Sequence, residues 1–407
     1  MIKQSELIDV ISSQHEDIQR PVTYQRDLLK DLHLTDGFAL IISGIRRCGK
    51  STLLTQLILK LTQRSLYINF DTPKLYNFDF TDFRILDEII GQDTNLKYLF
   101  FDEIQIIEGW ELYVREKLDA GFLVVVTGSN ASLLSRELGT KLTGRHITKE
   151  LFPFSFSEFC GYKKLDKNNN SLEQYLNIGG FPQFIDTGNE DVLKALINDI
   201  LYRDIAVRHN IRDEKPLKNL LMFMVANVGN LISANKLKTI IGVKSSVTVL
   251  EYLSFLEDTY LIHLVPKFTY SYRAQLVNPK KIYFIDNGLQ SAISPSFTDD
   301  RGRKFENLLF TTLRLYTSEI YYYNENAKEC DFVVCKNTQV KALIQVCFEL
   351  NFDNIEREQS GVFDAMNFFN MKIGYIVTKN QKDKISIKGK TIIVIPFYET
   401  EFETLLK

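Results

Sequence analysis

One eight-residue stretch near the N-terminus has the residue types and spacing of a phosphate-binding loop. Residues 44–51 read GIRRCGKS, which matches the pattern G-x-x-x-x-G-K-[ST]. In such a loop the backbone N–H groups face the phosphates, and the N-terminus of the following helix adds the positive end of its dipole. We expect Lys50 to contact the β- and γ-phosphates, the Ser51 hydroxyl to bind Mg²⁺ and Thr52 to contact the α-phosphate. The predicted nucleotide-binding residues are Gly44, Arg47, Cys48, Gly49, Lys50, Ser51 and Thr52.

Two acidic residues end an apolar run farther along the chain, where residues 98–103 read YLFFDE. At the carboxyl end of a strand beside the phosphate-binding loop, Asp102 can hold Mg²⁺. Glu103 can then orient and deprotonate the attacking water. This pair favours hydrolysis of a nucleoside triphosphate and argues against the alternative of a small-molecule kinase.

A third polar group follows the run at residues 124–126, which continues as Thr-Gly-Ser-Asn. We expect this strand to lie between the two strands that precede the loop and the acidic pair. Asn130, or failing that Ser129, would then lie near the γ-phosphate, where it can position the water.

The elements that must position these residues alternate between apolar runs and helical segments. Continuous apolar runs are typical of strands that are buried on both faces of a parallel sheet. Between the first two runs, residues 51–63 place leucine and isoleucine at helical spacing. The alternation predicts a doubly wound α/β domain. The four runs lie within residues 38–44, 65–71, 97–103 and 121–128.

These motifs together resemble the AAA-family ATP-binding proteins of bacteria and archaea, in which a C-terminal domain of unknown function follows the ATPase. The resemblance is carried by GIRRCGKST at 44–52, LFFDEIQ at 99–105 and the stretch from 124 to 159. It implies an AAA-type P-loop NTPase core with a parallel five-stranded sheet, and ATP and Mg²⁺ as cofactors. The preference for adenine is implied by the family as well.

The same family carries a basic residue in an L-x-G-R element, which is Leu142–Arg145 here. The resemblance implies that Arg145 can act as an arginine finger in the site of a neighbouring subunit, within a homo-oligomer. A surface arginine that caps a loop is the alternative. Arg203 and Arg208 are candidates for a lid arginine, although nearby aspartates offer them ordinary ion-pair partners.

Changes in the pattern of apolar runs and helical segments divide the chain into four predicted domains. Residues 1–162 form the ATPase domain, and the polar stretch 163–171 is predicted to be the loop that leads out of it. Residues 163–216 form a helical lid, 217–298 a winged helix-turn-helix, and 299–407 a restriction-endonuclease-like α/β domain.

Residues 233–281 are a candidate DNA-binding segment, because a helix, a tight turn, a second helix and a possible wing follow one another. The second helix is acidic, which favours a protein-contact module equally well. The cations that could contact phosphates are Lys236, Lys238, Lys267, Arg273, Lys280 and Lys281.

The last hundred residues resemble the restriction-endonuclease-like layout but lack its lysine. Glu306 on a helix, Asp331 on a strand and Gln345 on the next strand stand where metal-binding residues would be expected. In the layout that they resemble, the last of these positions is an acid, here Gln345, and a lysine follows two residues later, where this chain has Cys347. We therefore expect no cleavage and a role in binding or assembly.

Composition sets outer limits on function. The 407 residues are 45% hydrophobic and 25% charged with a net charge of −2, which excludes a polycationic protein. No apolar stretch reaches the ~20 residues that span a bilayer, and the N-terminus is polar. The five cysteines are scattered, which argues against a zinc site and predicts a cytoplasmic protein.

Because Cys48 lies in the phosphate-binding loop, we expect a thiol reagent to modify it and ATP to protect it.

The sequence thus predicts an ATP-binding protein that hydrolyses ATP to ADP and phosphate with Mg²⁺. The cycle would drive a conformational change of the C-terminal modules or of an unknown protein partner. The alternative is an ATP-gated DNA-binding or DNA-processing protein with a degenerate nuclease tail.

Overall fold

The computed structural model describes residues 2–19, 24–130, 142–294, 300–325 and 327–406. The chain divides into two compact units, residues 1–152 with 258–260 and residues 153–257 with 261–407. The first unit ends at Phe152, short of the predicted boundary at 162. The reason is that Phe156 packs against the rings of Tyr175 and Phe397, within the second unit.

The first unit is built on a parallel sheet of five strands in the order β2-β3-β4-β1-β5. β1 is buried along its whole length, as expected for a strand covered on both faces. β4 lies between β1 and β3, which confirms the predicted strand placement. The strands are β1 (Ala39–Ser43), β2 (Arg64–Asn69), β3 (Leu96–Asp102), β4 (Leu123–Gly128) and β5 (His146–Glu150).

Four α-helices in the described part of the first unit flank this sheet. The second begins directly after the phosphate-binding loop and buries Leu53, Leu54 and Leu57, as its helical spacing predicted. The first packs against β2 and the third. Phe83 and Tyr113, on the third and fourth, stack with ring centroids 3.9 Å apart. The helices are α1 (Gln4–Ile18), α2 (Lys50–Ile58), α3 (Phe83–Ile90) and α4 (Trp110–Asp119).

The second unit begins with helices. The loop predicted at 163–171 is shorter in the structure, because one helix extends to Lys163 and the next begins at Asn169. Gly179 ends that next helix with φ 72°, and a Cβ there would lie 2.3 Å from Asp286 Oδ1. The elements are α5 (Phe156–Lys163), α6 (Asn169–Ile178), α7 (Pro182–Thr187), α8 (Glu190–Asp199), a π-helical segment (Ile200–Val207) and α9 (Lys215–Ala226).

A small sheet and four short helices follow, with strand order β6-β8-β7. The predicted helix-turn-helix pair is bent by 93° at its break, an angle typical of that motif. The winged-helix assignment itself stays a prediction. The elements are β6 (Leu231–Ile232), α10 (Ala234–Ile241), α11 (Ser246–Asp258), β7 (Ile262–Val265), α12 (Tyr272–Val277), β8 (Lys280–Phe284) and α13 (Asn287–Ile293).

Within the described ranges, no single helix has the length and apolar composition that crossing a membrane requires. The bent pair of α10 and α11 meets those two criteria only when both helices are counted together.

The C-terminal part is a second α/β arrangement, as predicted, around a mixed six-stranded sheet in the order β13-β14-β12-β11-β10-β9. Its endonuclease-like character stays a prediction. The elements are α14 (Arg301–Arg314), β9 (Ile320–Glu325), β10 (Lys328–Lys336), β11 (Gln339–Cys347), α15 (Ile355–Phe368), β12 (Ile373–Thr378), β13 (Asp383–Ile387), β14 (Lys390–Pro396) and α16 (Phe402–Leu405).

Candidate functional site

The phosphate-binding loop joins the end of β1 to the start of α2, and two of its positions require glycine. A Cβ on Gly44 would lie 2.1 Å from the Leu151 carbonyl oxygen. Gly49 has φ 103°, which only glycine adopts readily, and it is the N-cap of α2. Arg47 also has a positive φ of 62° and is exposed. The loop therefore turns back tightly before the N-terminus of α2.

Lys50 extends back across this loop. Its Nζ donates to the carbonyl oxygens of Gly44 at 3.0 Å and Ile45 at 3.3 Å, and it lies 3.2 Å from Glu103 Oε1. Burial lowers the pKa of the Lys50 ammonium, but the neighbouring groups, led by the Glu103 carboxylate and including Asp102, together outweigh that effect, so the pKa is raised. Lys50 is therefore a buried cation at the centre of the loop.

Glu103 follows β3 in a left-handed conformation with φ 53°. Its N–H donates to Thr127 Oγ1 at 2.9 Å, and its Oε2 accepts from Gln105 Nε2 at 2.5 Å. Burial raises the pKa of the Glu103 carboxyl, but Lys50 and Gln105 lower it by more. The carboxylate is therefore held in its ionised form, as a general base requires.

Asp102, at the end of β3, is fully buried among hydrogen-bond donors. It accepts from Tyr67 Oη at 2.8 Å and from Asn69 Nδ2 at 3.2 Å, and also from the Thr127 hydroxyl. The Ser51 side chain lies near it and lowers its pKa as a hydrogen-bond donor. Burial, and then the Glu103 charge, raise the pKa of Asp102. Residues from β2, β3, β4 and the start of α2 thus meet around one carboxylate.

The sequence reasoning missed Tyr67, Asn69, Gln105 and Thr127 as members of this group. A signal was available for three of them, because Asn69 ends β2, Thr127 precedes the last residue of β4 and Gln105 follows the acidic pair closely. Polar residues at the carboxyl ends of neighbouring parallel strands meet at one edge of the sheet. Tyr67 gave no such signal, since it lies inside an apolar run.

Ser129 and Asn130 come directly after β4 and are both buried. Their place, at the end of a strand between β1 and β3, agrees with the sequence prediction. The role of Asn130 beside a γ-phosphate stays a prediction.

The Cys48 side chain points away from the expected phosphate position. Its Sγ donates to the Leu151 carbonyl oxygen at 3.3 Å, and the residue has no exposed surface. Burial raises the pKa of the thiol. The expectation that a thiol reagent modifies Cys48 is therefore wrong, because both access and thiolate formation are suppressed. Arg26, which is also buried, donates to the Cys48 carbonyl oxygen at 2.8 Å and so anchors the backbone of the loop.

A cleft of about 660 Å³ borders the start of α2. Ser51 and Thr52 lie at its edge, together with residues of α1 and β2. The lining residues include Gln14, Asp17, Thr55, Tyr67, Asn69 and Asp71.

Two family models match consecutive parts of the chain. Residues 36–160 match the family described as AAA domain, and residues 169–300 match one described as Domain of unknown function (DUF8612). The uncharacterized protein MJ1544 of Methanocaldococcus jannaschii is 34% identical, over 96% of this chain and 94% of that protein. This chain belongs to the same family. An uncharacterized protein of Haemophilus influenzae is 28% identical, over 88% of this chain and 93% of that protein.

Solved structures also resemble this chain. AMPPCP-bound DnaA from Aquifex aeolicus is 14% identical, covering 61% of this chain and 88% of that one, with a TM-score of 0.29. The Aeropyrum pernix ORC1 protein in complex with DNA is 9% identical, covering 71% and 90%, with a TM-score of 0.28. At such TM-scores the likeness carries no argument about function. The family match and the five-stranded parallel sheet together make residues 36–160 an AAA-type P-loop ATPase domain.

Arg145 lies just before β5 in this domain. Its Nη1 is 2.7 Å from Asp119 Oδ1, at the end of α4, and about a third of the side chain is exposed. The arginine-finger role would require this ion pair to exchange for a phosphate, and it stays a prediction. Arg203 lies in the π-helical segment and Arg208 follows it, both exposed.

In the second unit, Lys281 on β8 lies among three carboxylates. Its Nζ is 2.8 Å from Asp331 Oδ1, 3.2 Å from Glu306 Oε1 and 2.5 Å from Glu329 Oε1, and only 3% of the side chain is exposed. Burial lowers the pKa of Lys281, but the nearby carboxylates, first Asp331 and then Glu306, raise it by more than that. The pKa therefore lies well above its ordinary value. The prediction that Lys281 contacts nucleic-acid phosphates is wrong, because its ammonium is enclosed by carboxylates. Lys267 is likewise paired, with Glu325 at 2.8 Å.

The predicted nuclease-like residues do come together, with a cation from another element. Glu306 accepts from Tyr283 Oη at 2.6 Å, and burial raises its pKa to about 7. The Gln345 side chain accepts from the Asp331 N–H at 3.2 Å and donates to Glu358 at 2.7 Å. Among the described residues, no group of three or more His, Cys, Asp or Glu is arranged to hold a metal ion. Cys347 is buried, and burial raises its pKa to about 11.

Proposed function

We propose that this protein binds ATP together with Mg²⁺ and hydrolyses the ATP to ADP and phosphate. The observation that carries the proposal is the meeting of Lys50, Asp102 and Glu103 at the carboxyl edge of the sheet. The ammonium lies 3.2 Å from the Glu103 carboxylate, and the Ser51 side chain lies near Asp102. The match of residues 36–160 to the AAA domain supports the same reading.

The donor set at this edge fits Mg²⁺. The Ser51 hydroxyl and the Asp102 carboxylate are hard oxygen ligands that lie near each other. We assign these two residues to hold the ion. When bound, Mg²⁺ would neutralise charge on the β- and γ-phosphate oxygens.

Each remaining residue has a role that follows from its contacts. Lys50 would exchange its bond to the Gly44 carbonyl oxygen and its ion pair with Glu103 for the phosphate oxygens. Glu103, released from Lys50 and still ionised, would take a proton from the attacking water. Asn130 would position that water from the end of β4. Arg145 would stabilise the γ-phosphate charge in the site of a neighbouring subunit.

The cycle would drive a conformational change in the modules that follow Phe152 or in a bound protein partner. The support for this is the separate compact unit that the chain forms from Pro153 onward.

The proposal is tested by measuring phosphate release and ATP binding on three chains. Wild type should hydrolyse Mg-ATP slowly. Lys50→Ala should lose productive binding, because the phosphates lose their central cation. Glu103→Gln should bind ATP with wild-type affinity and turn over about 10²-fold more slowly or worse. If Glu103→Gln hydrolyses ATP at the wild-type rate, Glu103 is not the base; if calorimetry detects no binding of Mg-ATP to wild type, the whole proposal fails.

A second candidate is an ATP-gated DNA-binding protein. The 93° bend between α10 and α11 favours it, and the exposed Lys236 and Arg273 lie in this segment. The paired Lys267 and the enclosed Lys281 weaken it, because they reduce the available positive charge. Turnover measured with and without duplex DNA at low salt separates the two candidates. Stimulation would favour the DNA-dependent function, and an unchanged rate would favour the first proposal.

A further inference from the structure

The side-chain amide of Gln105, beside the proposed catalytic base, has a hydrogen-bond partner for its nitrogen but none for its oxygen among the described residues. Its Nε2 donates to Glu103 Oε2 at 2.5 Å. Because an ionised carboxylate only accepts hydrogen bonds, the amide nitrogen must face Glu103 and the carbonyl oxygen must face elsewhere. That oxygen, Oε1, is buried, and no group in the described part of the chain donates to it. Buried acceptors are rarely left without a donor.

The space for this amide is provided by Gly128, the last residue of β4. A Cβ on Gly128 would lie 2.9 Å from Gln105 Oε1 and 3.3 Å from Cδ. Gly128 does not have a positive φ, so its backbone would accept a side chain. The amide of Gln105 is therefore the group that excludes a side chain at position 128.

The residues next to Gly128 and Gln105 belong to the proposed hydrolytic site. Thr127, next to Gly128, accepts from the Glu103 N–H and donates to Asp102. The Gln105 oxygen thus lies at the edge where β3 and β4 end, among the residues to which we assign hydrolysis. A donor that arrives with the substrate would complete its hydrogen bonding.

We propose that Gln105 is a further residue of the hydrolytic site, whose carbonyl oxygen accepts a hydrogen bond from the attacking water. This inference rests on the proposed ATP hydrolysis. The water would donate one hydrogen to Glu103 and the other to Gln105 Oε1, which directs its lone pair towards the γ-phosphorus. A carboxamide that orients the attacking water in this way is established chemistry in nucleotide hydrolysis.

The step balances in atoms and electrons. The O–H bond to the hydrogen that faces Glu103 breaks, and the carboxylate takes that proton. The water oxygen forms a bond to the γ-phosphorus, and the bond from that phosphorus to the bridging oxygen breaks, which releases ADP. The hydrogen bound to Gln105 leaves with the phosphate product, and Glu103 later returns its proton to solvent.

The test compares turnover with nucleotide binding in Gln105→Ala. We expect kcat to fall at least tenfold while the Kd for Mg-ATP stays within twofold of wild type. Ile106→Ala, an exposed position on the same turn, is the matched control and should hydrolyse ATP at the wild-type rate. A kcat within twofold of wild type for Gln105→Ala would overturn the inference. Absence of hydrolysis in wild type would instead refute the proposed function.

A second variant keeps Gln105 and moves its amide. Gly128→Ala should also lower kcat, because the added methyl group displaces Oε1. If it acts through Gln105, the double variant Gln105→Ala/Gly128→Ala should be no slower than Gln105→Ala alone. Additive losses in this cycle would show that Gly128 acts independently and would count against the inference.

Discussion

Lys281 Nζ on β8 lies 2.8 Å from Asp331 Oδ1 on β10, and both side chains are buried. The ammonium is the shared partner of carboxylates that would otherwise repel one another. Glu306 on α14 and Glu329 on β10 complete the group.

We expect Lys281→Met to destabilise the chain by about 3–5 kcal/mol, because it leaves buried carboxylates without a counter-charge. Urea unfolding at neutral pH measures the change. Lys280→Met, at the neighbouring and more exposed position, is the control and should cost less than about 0.5 kcal/mol. Equal midpoints for Lys281→Met and wild type would show that the cluster needs no cation.

Arg145→Ala should lower ATP turnover about 10³-fold without weakening ATP binding, if the arginine acts on the γ-phosphate. The variant should be inactive alone yet regain activity when mixed with Lys50→Ala, which lacks its own site but supplies Arg145. Asp119→Asn, which breaks the 2.7 Å ion pair and leaves the arginine in place, is the control. No recovery on mixing would rule out action on a neighbouring subunit.

The native protein should resist thiol reagents. All five cysteines are buried, and burial raises the pKa of the Cys48, Cys160 and Cys347 thiols. A chromogenic disulfide should react with less than one thiol per folded chain over minutes and with five in denaturant. Ile106→Cys, at an exposed position, should react at once and serves as the positive control. Rapid labelling of native Cys48 would contradict the geometry of the loop.

Stability should fall as the pH rises from 4 to 7, in part because of Asp286. This N-cap of α13 accepts from Gly180 N at 2.6 Å and Leu289 N at 2.9 Å, and burial raises its pKa from 3.8 to about 6. The folded chain therefore holds its proton more tightly than the unfolded chain. The stabilisation present below pH 3.8 is lost as the pH passes 6, and it amounts to about 3 kcal/mol.

The pH effect is checked by urea unfolding of wild type and Asp286→Asn at several pH values. The variant should be less stable overall, since its single amide oxygen can replace only one of the two carboxylate oxygens that accept from Gly180 N and Leu289 N. It should nevertheless lose this part of the pH dependence. Asp300→Asn, at the exposed N-cap of α14, should keep the wild-type dependence. An unchanged slope in Asp286→Asn would assign the effect to other groups.

The sequence by itself determined the AAA-type core, because its signals are local. The glycines around Lys50 and Ser51 are needed for a tight turn at a helix start, and short continuous apolar runs are typical of strands covered on both faces. The order β3-β4-β1 followed from polar residues at the strand ends. These patterns depend on residues that are neighbours in the chain, and they can therefore be recognised without any knowledge of the fold.

Only the tertiary structure decided which side chains complete each site. Lys281 pairs with Asp331, fifty residues away in sequence, and no local pattern distinguishes it from the exposed cations around it. Cys48 lies in the loop but faces Leu151, because the direction of a side chain depends on the strand packed beside it. Electrostatic and packing partners are chosen by distance in space, and that distance is set by the sheet order rather than by the sequence.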